Sequence, residues 1–443
     1  MSLNVASATL LPEILSASAP VRIGLIGLGT VGSGTVKLLS RNPLVELVQI
    51  AVKSIDKARS LADIEIAHLL TTDAFAVVNN PDVQVVVELV GGIDLAKQWI
   101  TTALNNKKHV VTANKALIAT HGAELFALAK KNGVALLFEA SVAGGIPILM
   151  PLKMCLAANK ITEIAGILNG TTNYILTRMM EDGWDFQTAL AKAQALGFAE
   201  ADPSSDVDGH DAAYKLAILA KIAFQRQIDV AEIFVEGITA ITPADIDYAK
   251  RFGYTIRLIG LARWNEERQC PELRVHPMLL KNTHPLANVY NEYNAIWVKG
   301  DAVGDTMFYG KGAGELPTAS AVCADVLALV KDIQSNNLTV CAGMEVFLSA
   351  EKVTPLPISE TTNRYYIRLN TKDEAGVLAE LGKAFGDQGV SLESFLQLPG
   401  EEPETASLML VTHLAQEKNV QQALKNIVAL TVTESIGCVL RVL

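Results

Sequence analysis

The sequence predicts an α/β protein built in three parts: a doubly wound parallel sheet, an α+β domain, and a small C-terminal domain with helices on one face of an antiparallel sheet. Three observations predict this. From Val21 to about Leu149, short Val/Ile-rich runs alternate with helical patterns, as in a parallel sheet covered on both faces. Beyond Pro151 the alternation gives way to longer helices and strands grouped in blocks. From Arg364 onward the order becomes strand, helix, strand, strand, helix, strand, which is the ferredoxin-like arrangement.

In the first part, Val21–Ile26, Val45–Val52, Val83–Val90, His109–Thr112 and Val134–Phe138 are expected as strands, with helices such as Ala96–Asn105 and Ala123–Lys131 between them. In the second, strand-like Ile161–Leu168 leads through Asn169-Gly-Thr-Thr-Asn173 into helical stretches at Tyr174–Leu196 and Ala212–Phe224. Further strands are expected near Leu258–Arg263, Leu273–Pro277 and Ala295–Val303. The Gly-rich turn Gly310–Gly314 precedes a helix, Pro317–Asp332, whose apolar face is expected to pack back on the first sheet. The domains are therefore placed at 21–149 (with 310–340 returning to it), 150–309 and 363–443, after an N-terminal extension of residues 1–20. Residues 341–362, with Pro355 and Pro357, read as a linker, and the unit behind it is expected to be separable from the chemistry.

Composition excludes several classes. The net charge of −10 disfavours binding to a phosphate backbone as the main task, and no apolar run reaches the ~18 residues of a membrane span. The first twenty residues lack Lys and Arg and are interrupted by Pro12 and Glu13, unlike a signal peptide. The five cysteines (Cys155, Cys270, Cys323, Cys341, Cys438) form no Cys-x-x-Cys pair. Reduced thiols in a cytoplasmic protein account for them.

Gly27-Leu-Gly-Thr-Val-Gly32 directly follows an apolar strand and opens a helix. In that setting G-x-G-x-x-G is a dinucleotide fingerprint of the Rossmann type, with Gly27, Gly29 and Gly32 letting a pyrophosphate approach the helix N-terminus. The second strand ends at Ala51-Val-Lys-Ser-Ile-Asp56, with Lys53 where an NAD-selective protein places an acid. An ammonium there favours the 2′-phosphate of NADP, while Asp56 keeps NAD open. A solvated loop bearing Lys53 and Arg59 is the competing reading.

The reacting end is expected at the carboxyl edge of the same sheet. Thr112-Ala-Asn-Lys115 projects Lys115 from it. Between Gly197 and Lys215, five carboxylates (Glu200, Asp202, Asp206, Asp208, Asp211) fall within twelve positions. Such a density needs cationic partners, and the ammonium of an amino-acid substrate would supply one. Lys215 lies on a helix apolar almost all round, whose burial makes an unpaired ammonium costly. Asp211, at i−4, sits on the same face to pair with it. A purely structural ion pair, or a solvated or metal-binding acidic loop, is the alternative; the spacing does not match a calcium loop.

These motifs, with Phe138-Glu-Ala-Ser-Val-Ala-Gly-Gly-Ile-Pro147, Leu168–Asn173 and Gly310-Lys-Gly-Ala-Gly-Glu-Leu-Pro-Thr318, make the chain resemble the homoserine dehydrogenases from about Val21 to Leu443. The resemblance implies NAD(P)-dependent interconversion of L-homoserine and L-aspartate 4-semialdehyde, on the route to threonine and methionine. It implies Lys215 as proton donor and acceptor, Lys115 as a second lysine at the reacting centre, and Glu200, Asp211 and their neighbour Asp206 as homoserine contacts. Thr30, Val31, Gly197 and Gly312 would line the dinucleotide. Sodium or another monovalent cation is implied at Glu139 with the backbone oxygens of Val142, Gly144 and Ile146. Assembly as a homodimer or homotetramer is expected.

The C-terminal domain resembles the ligand-sensing ACT domains, since Asn370–Leu378 enters its first helix as theirs does. Backbone N–H groups there suit an amino-acid carboxylate, threonine being the first candidate effector; a dimerisation module is the rival. Two rival functions have different needs. A phosphorylating aldehyde dehydrogenase requires a cysteine nucleophile, and a non-catalytic dinucleotide- and amino-acid-binding regulator has no use for Lys215 beside Asp211.

Overall fold

The computed structural model describes residues 19–56, 61, 64–336, 351–400 and 402–443. The N-terminal extension to residue 18, Arg59, Cys341 and the first part of the expected linker, residues 341–350, lie outside the described residues.

The first domain carries β1 (Val21–Ile26), α1 (Thr30–Leu39), β2 (Val45–Ala51), β3 (Leu70–Thr71), α2 (Ala74–Asn79), β4 (Val85–Glu88), α3 (Asp94–Asn105), β5 (His109–Thr112), α4 (Lys115–Asn132) and β6 (Leu136–Leu137). Its six strands are all parallel, in the order β3-β2-β1-β4-β5-β6. The central strands bury every residue of Val85–Glu88, which is why they read as unbroken apolar runs. The order reverses between β1 and β4, and the crevice at that switch point is where such sheets bind ligands.

The second domain holds β7 (Ile161–Ile167), α5 (Gly170–Asp182), α6 (Phe186–Ala195), α7 (Ser204–Val207), α8 (His210–Phe224), β8 (Phe234–Val235), α9 (Pro243–Arg251), β9 (Tyr254–Asn265), β10 (Cys270–Lys281), β11 (Tyr293–Gly300) and β12 (Gly304–Lys311). The expected helix over 174–196 is two helices, because Gly183 takes the left-handed conformation (φ +67°) and ends α5. α8 buries most of its circumference, as its composition requires, and its buried Lys221 donates to the Ala119 carbonyl. The next helix, α10 (Glu315–Ser335), returns to the first domain beside α1, where Lys37 pairs with Glu315 at 2.7 Å.

The C-terminal domain runs β13 (Thr362–Lys372), α11 (Val377–Gly386), β14 (Leu392–Pro399), β15 (Thr405–Thr412), β16 (Ala415–Gln416), α12 (Glu417–Val428) and β17 (Thr433–Val442). It is the expected βαββαβ unit, but it is not a tail set apart. β17 pairs in parallel with β10, Met278 opposite Arg441, so its sheet continues that of the second domain. Strand alternation explains the rest. Tyr365, Ile367 and Leu369 face α11 and α12, whereas Tyr366, with Met409, Val411 and Leu440, joins the main core. On that same face Arg368 donates to Asp245 at 2.7 Å, and Asp245 is fully buried. The stretch before β13 is also tied down, through Val353 N–H to Gln227 O and Leu356 N–H to Pro271 O. The separability expected from the two prolines is therefore not found; a chain cut near Val353 would expose an apolar sheet face and strand Asp245.

Arg368→Leu should lower stability by about 3–5 kcal/mol, the cost of leaving a buried charge without its partner. Urea unfolding of the full chain checks this, and an unmoved midpoint would show that the pair contributes nothing.

Candidate functional site

The crevice begins at the glycine turn. After β1, Gly27 takes φ +100°, and a Cβ on Gly32 would strike the Gly27 carbonyl oxygen. The turn is thus closed only by glycine, and Gly27 N–H is held by Ala51 O at 2.9 Å. Gly29 caps α1 without a side-chain bond and has open space above it, so the first-turn N–H groups are left for an anion. These residues fit a pyrophosphate.

The carboxyl ends of β4 and β5 form the next wall. Glu88, fully buried at the end of β4, accepts the N–H groups of Val90 (2.7 Å) and Gly91 (3.1 Å) on one oxygen and the Thr112 hydroxyl (2.7 Å) on the other. Burial raises its pKa, and these hydrogen bonds partly offset that. Thr112 accepts the Asn114 N–H, and Asn114 caps α4 through Leu117 N–H while donating to Gly92 O at 2.6 Å. The Thr-Ala-Asn-Lys motif is therefore a strand end and a helix cap that leave Lys115 as the first residue of α4, facing the crevice.

The far wall comes from the second domain, and it meets Lys115 at one carboxylate. Asp211, in the first turn of α8, takes Lys115 Nζ on Oδ1 at 2.9 Å and Lys215 Nζ on Oδ2 at 2.7 Å. Lys215 also donates to the Leu168 carbonyl at 2.8 Å. Asn169 Nδ2 donates to Asp211 (2.9 Å) and to Asp206 (2.7 Å), and the Thr171 hydroxyl reaches the other Asp206 oxygen at 3.0 Å. Burial would raise the Asp211 pKa, but Lys215 and Lys115 together hold it well below the usual carboxylate range. Asp206 is pushed up by burial and by Asp211. The Asp211 charge raises the Lys115 pKa, opposite to the depression that a proton-carrying lysine needs near neutral pH.

These walls enclose a cleft of about 1140 Å³ lined, among others, by Val31, Lys115, Gly144, Gly197, Glu200, Asp206, Asp211, Lys215 and Gly312. Gly27, Gly29, Thr30 and Gly32 form the turn beside it rather than its lining, and Lys53 stands exposed just past β2 without lining it. Asp202 and Asp208 do not line it either. Sequence reasoning missed Glu88, Asn114 and Asn169 as structural supports; the last two lay inside quoted motifs, but nothing local marks Glu88 as a loop anchor. Lys37, Arg41 and Glu315 on the rim went unnoticed as well. No cysteine among the described residues lines the cleft, and burial pushes the Cys323 thiol up to about 12.

Glu139 lies beneath the cleft rather than in it. Its carboxylate accepts the N–H groups of Ile148 (2.7 Å), Leu149 (2.9 Å) and Met150 (2.9 Å). Val142, Gly144 and Ile146 lie outside helices and strands, and no backbone N–H among the described residues donates to their carbonyls. In the C-terminal domain, a hollow of about 340 Å³ lies at the start of α11, lined by Thr371, Lys372, Gln397 and residues 374–379. Its capping residue Gly376 (φ +105°) makes no side-chain cap.

Comparison with known proteins gives the family. Residues 27–139 match the family model for the homoserine dehydrogenase NAD-binding domain, 147–327 that for homoserine dehydrogenase, and 365–431 the ACT domain. The chain is 44% identical to a homoserine dehydrogenase of Bacillus subtilis, covering 95% of this chain and 98% of that one. It is 45% identical to one of Synechocystis, covering 96% and 99%. Among solved structures, a homoserine dehydrogenase from Thiobacillus denitrificans superposes with a TM-score of 0.88 at 41% identity, over 96% of this chain and 98% of that one. A hyperthermophilic archaeal homoserine dehydrogenase in complex with NADPH superposes with a TM-score of 0.60 at 28% identity, over 70% and 97%.

Proposed function

We propose a role for each residue of the cleft from one established premise: the chain belongs to the homoserine dehydrogenase family. It is an oxidoreductase with an NAD-binding domain and an ACT domain, and its reaction interconverts L-homoserine and L-aspartate 4-semialdehyde. The single observation carrying the assignment below is Asp211 holding both Lys115 and Lys215 at the cleft wall.

The chemistry supplied by bound NAD(P) is hydride transfer at the carbon that bears the substrate oxygen. This chain must orient that carbon and move one proton. Lys215 carries the proton. An ammonium has three N–H donors; two are used on Asp211 and Leu168 O, and the third is left for the substrate oxygen. In aldehyde reduction Lys215 donates to the forming alkoxide, and in homoserine oxidation it takes the hydroxyl proton back as the neutral amine. Lys115, held as a cation by Asp211, stabilises negative charge developing on that oxygen. Glu200 and Asp206, with Asp211 behind them, receive the homoserine ammonium, and the substrate replaces water around carboxylates that otherwise repel one another. Thr30, Val31, Gly197 and Gly312 line the dinucleotide.

NADP(H) is our reading for the favoured cofactor. The support is Lys53, which follows β2 two residues beyond the Ala51 carbonyl that anchors the glycine turn. We assign a monovalent cation to Glu139 and the carbonyls of Val142, Gly144 and Ile146, whose oxygen-only donor set supports that reading. Threonine is the effector assigned to the hollow at α11, where uncapped N–H groups suit a carboxylate. We also infer a cytoplasmic homodimer or homotetramer; no helix among the described residues is long and apolar enough to cross a membrane.

Lys215→Ala should lower turnover by about 10²–10⁴, the usual worth of a positioned proton carrier, with cofactor binding retained. Near-normal turnover would transfer the role to Lys115. Glu200→Leu should raise the Michaelis constant for homoserine far more than that for cofactor; equal changes would mean that Glu200 only shapes its loop. Lys53→Asp should weaken NADP(H) selectively, and an unchanged ratio of the constants for the two cofactors would reduce Lys53 to a surface charge.

A further inference from the structure

The C-terminal domain touches the substrate-binding loop indirectly, through one arginine. Arg441, on β17, is almost wholly buried and holds Glu417 by two bonds, Nε to Oε2 at 2.8 Å and Nη2 to Oε1 at 2.7 Å. Its remaining arm leaves the domain and donates to Glu236 Oε2 at 2.9 Å, while its guanidinium lies over the Phe234 ring at 5.2 Å. One side chain thus touches both Phe234 on β8 and Glu236 just after it.

That segment grips the acidic loop from behind. Glu236 N–H is fixed to Val275 O on β10 at 2.8 Å, and Ile238 N–H to Val207 O at 2.9 Å. Between them Gly237 leaves no room: a Cβ there would strike Val207 O and lie 2.7 Å from Asp208 Cα. Gly209, which caps α8 at φ +89°, would likewise place a Cβ 3.0 Å from Val235. Asp206 stands just before this clamped stretch and Asp211 just after it. With backbone against backbone, a shift of residues 235–238 has to be shared by residues 207–209.

We propose that the Glu236–Arg441 ion pair is the contact through which the C-terminal domain sets the position of the homoserine-binding carboxylates, making Glu236 a positioning residue. The inference rests on the assignment of those carboxylates to the substrate ammonium. Two features single this pair out from the Arg368–Asp245 pair nearby. Asp245 is fully buried and completes the capping box of α9 with Thr242, so that contact is a fixed anchor. Glu236 keeps 41% of its side-chain surface in water, and Arg441 retains Glu417 if Glu236 leaves. This contact is cheap to break and remake, as an adjustable link must be.

The test is steady-state kinetics on the full-length enzyme carrying Glu236→Gln, with Gly237→Ala alongside. Glu236→Gln should raise the homoserine Michaelis constant by about three- to fivefold, the scale of a half-exposed ion pair. Turnover and the cofactor constant should stay unchanged, and Glu236→Asp, which keeps the charge, should recover part of the loss. Gly237→Ala should show the same split. An unchanged homoserine constant in Glu236→Gln would overturn the proposal, whatever Gly237→Ala does, and so would a parallel rise in both constants. L-threonine titration adds a second readout: the half-inhibiting concentration should move in Glu236→Gln. A parent enzyme indifferent to threonine would remove the effector assignment and leave the Michaelis-constant test standing. A Glu200→Leu variant with normal homoserine affinity would remove the substrate assignment itself.

Discussion

The site depends on one buried carboxylate being shared by two lysines that come from different domains. Lys115 begins α4 of the parallel-sheet domain, Lys215 lies on α8 of the second, and Asp211 takes one on each oxygen. Without that anion, two ammonium groups would face each other across a partly enclosed cleft, where their repulsion is stronger than in water. With it, the pair is held at a fixed separation and the local charge stays close to that of one cation. Asp211 therefore joins two domains as well as orienting the reacting groups. Its ionisation is secured by the same lysines, so each member of the trio stabilises the charge state that the others require.

Each lysine is delivered by backbone architecture more than by its own contacts. Lys115 stands where it does because Glu88 folds the end of β4 around its carboxylate and receives Thr112, which in turn orders the Asn114 cap. Lys215 stands where it does because α8 is buried along most of its surface, and among the described residues its ammonium is held by the Leu168 carbonyl and Asp211. Asn169 serves both ends of this wall. It caps α5 through Thr172 N–H and donates to Asp206 and Asp211, so that two carboxylates tolerate proximity.

Much of this was legible in the sequence because it rests on local rules. Period and composition identified the parallel strands, the buried α8, and the βαββαβ order, and the burial of that helix with i,i+4 spacing predicted the Asp211–Lys215 pair. The glycine turn was legible because only glycine closes it. What was not legible depends on contacts distant in sequence. Lys115 and Asp211 are ninety-six positions apart, and no pattern within either motif names the other. Glu88 reads as one polar residue inside the expected apolar strand Val83–Val90, whereas β4 ends on it. The two-residue strands β3, β8 and β16 are too short for any periodicity. The pairing of β17 with β10 was missed for a further reason: prolines 355 and 357 read as a linker, although Leu356 is hydrogen-bonded to Pro271.

That last pairing changes what kind of device the C-terminal domain is. A module on a flexible tether reaches an active site only by docking onto it. Here the domain's own sheet is continuous with the sheet that supports α8, and β13 offers one row of side chains to its helices and the other to the main core. A strand cannot move one row and leave the other in place, because successive side chains share one backbone. An effector held at the start of α11 would act at the far end of β13 from Tyr365, the residue opposite Arg441. Any displacement it caused along β13 and β17 would be resisted by Asp245 at Arg368 and passed on at Arg441. Coupling in such a fold is a matter of small repacking across a shared sheet, which suits an affinity change of modest size better than an on–off closure of the cleft.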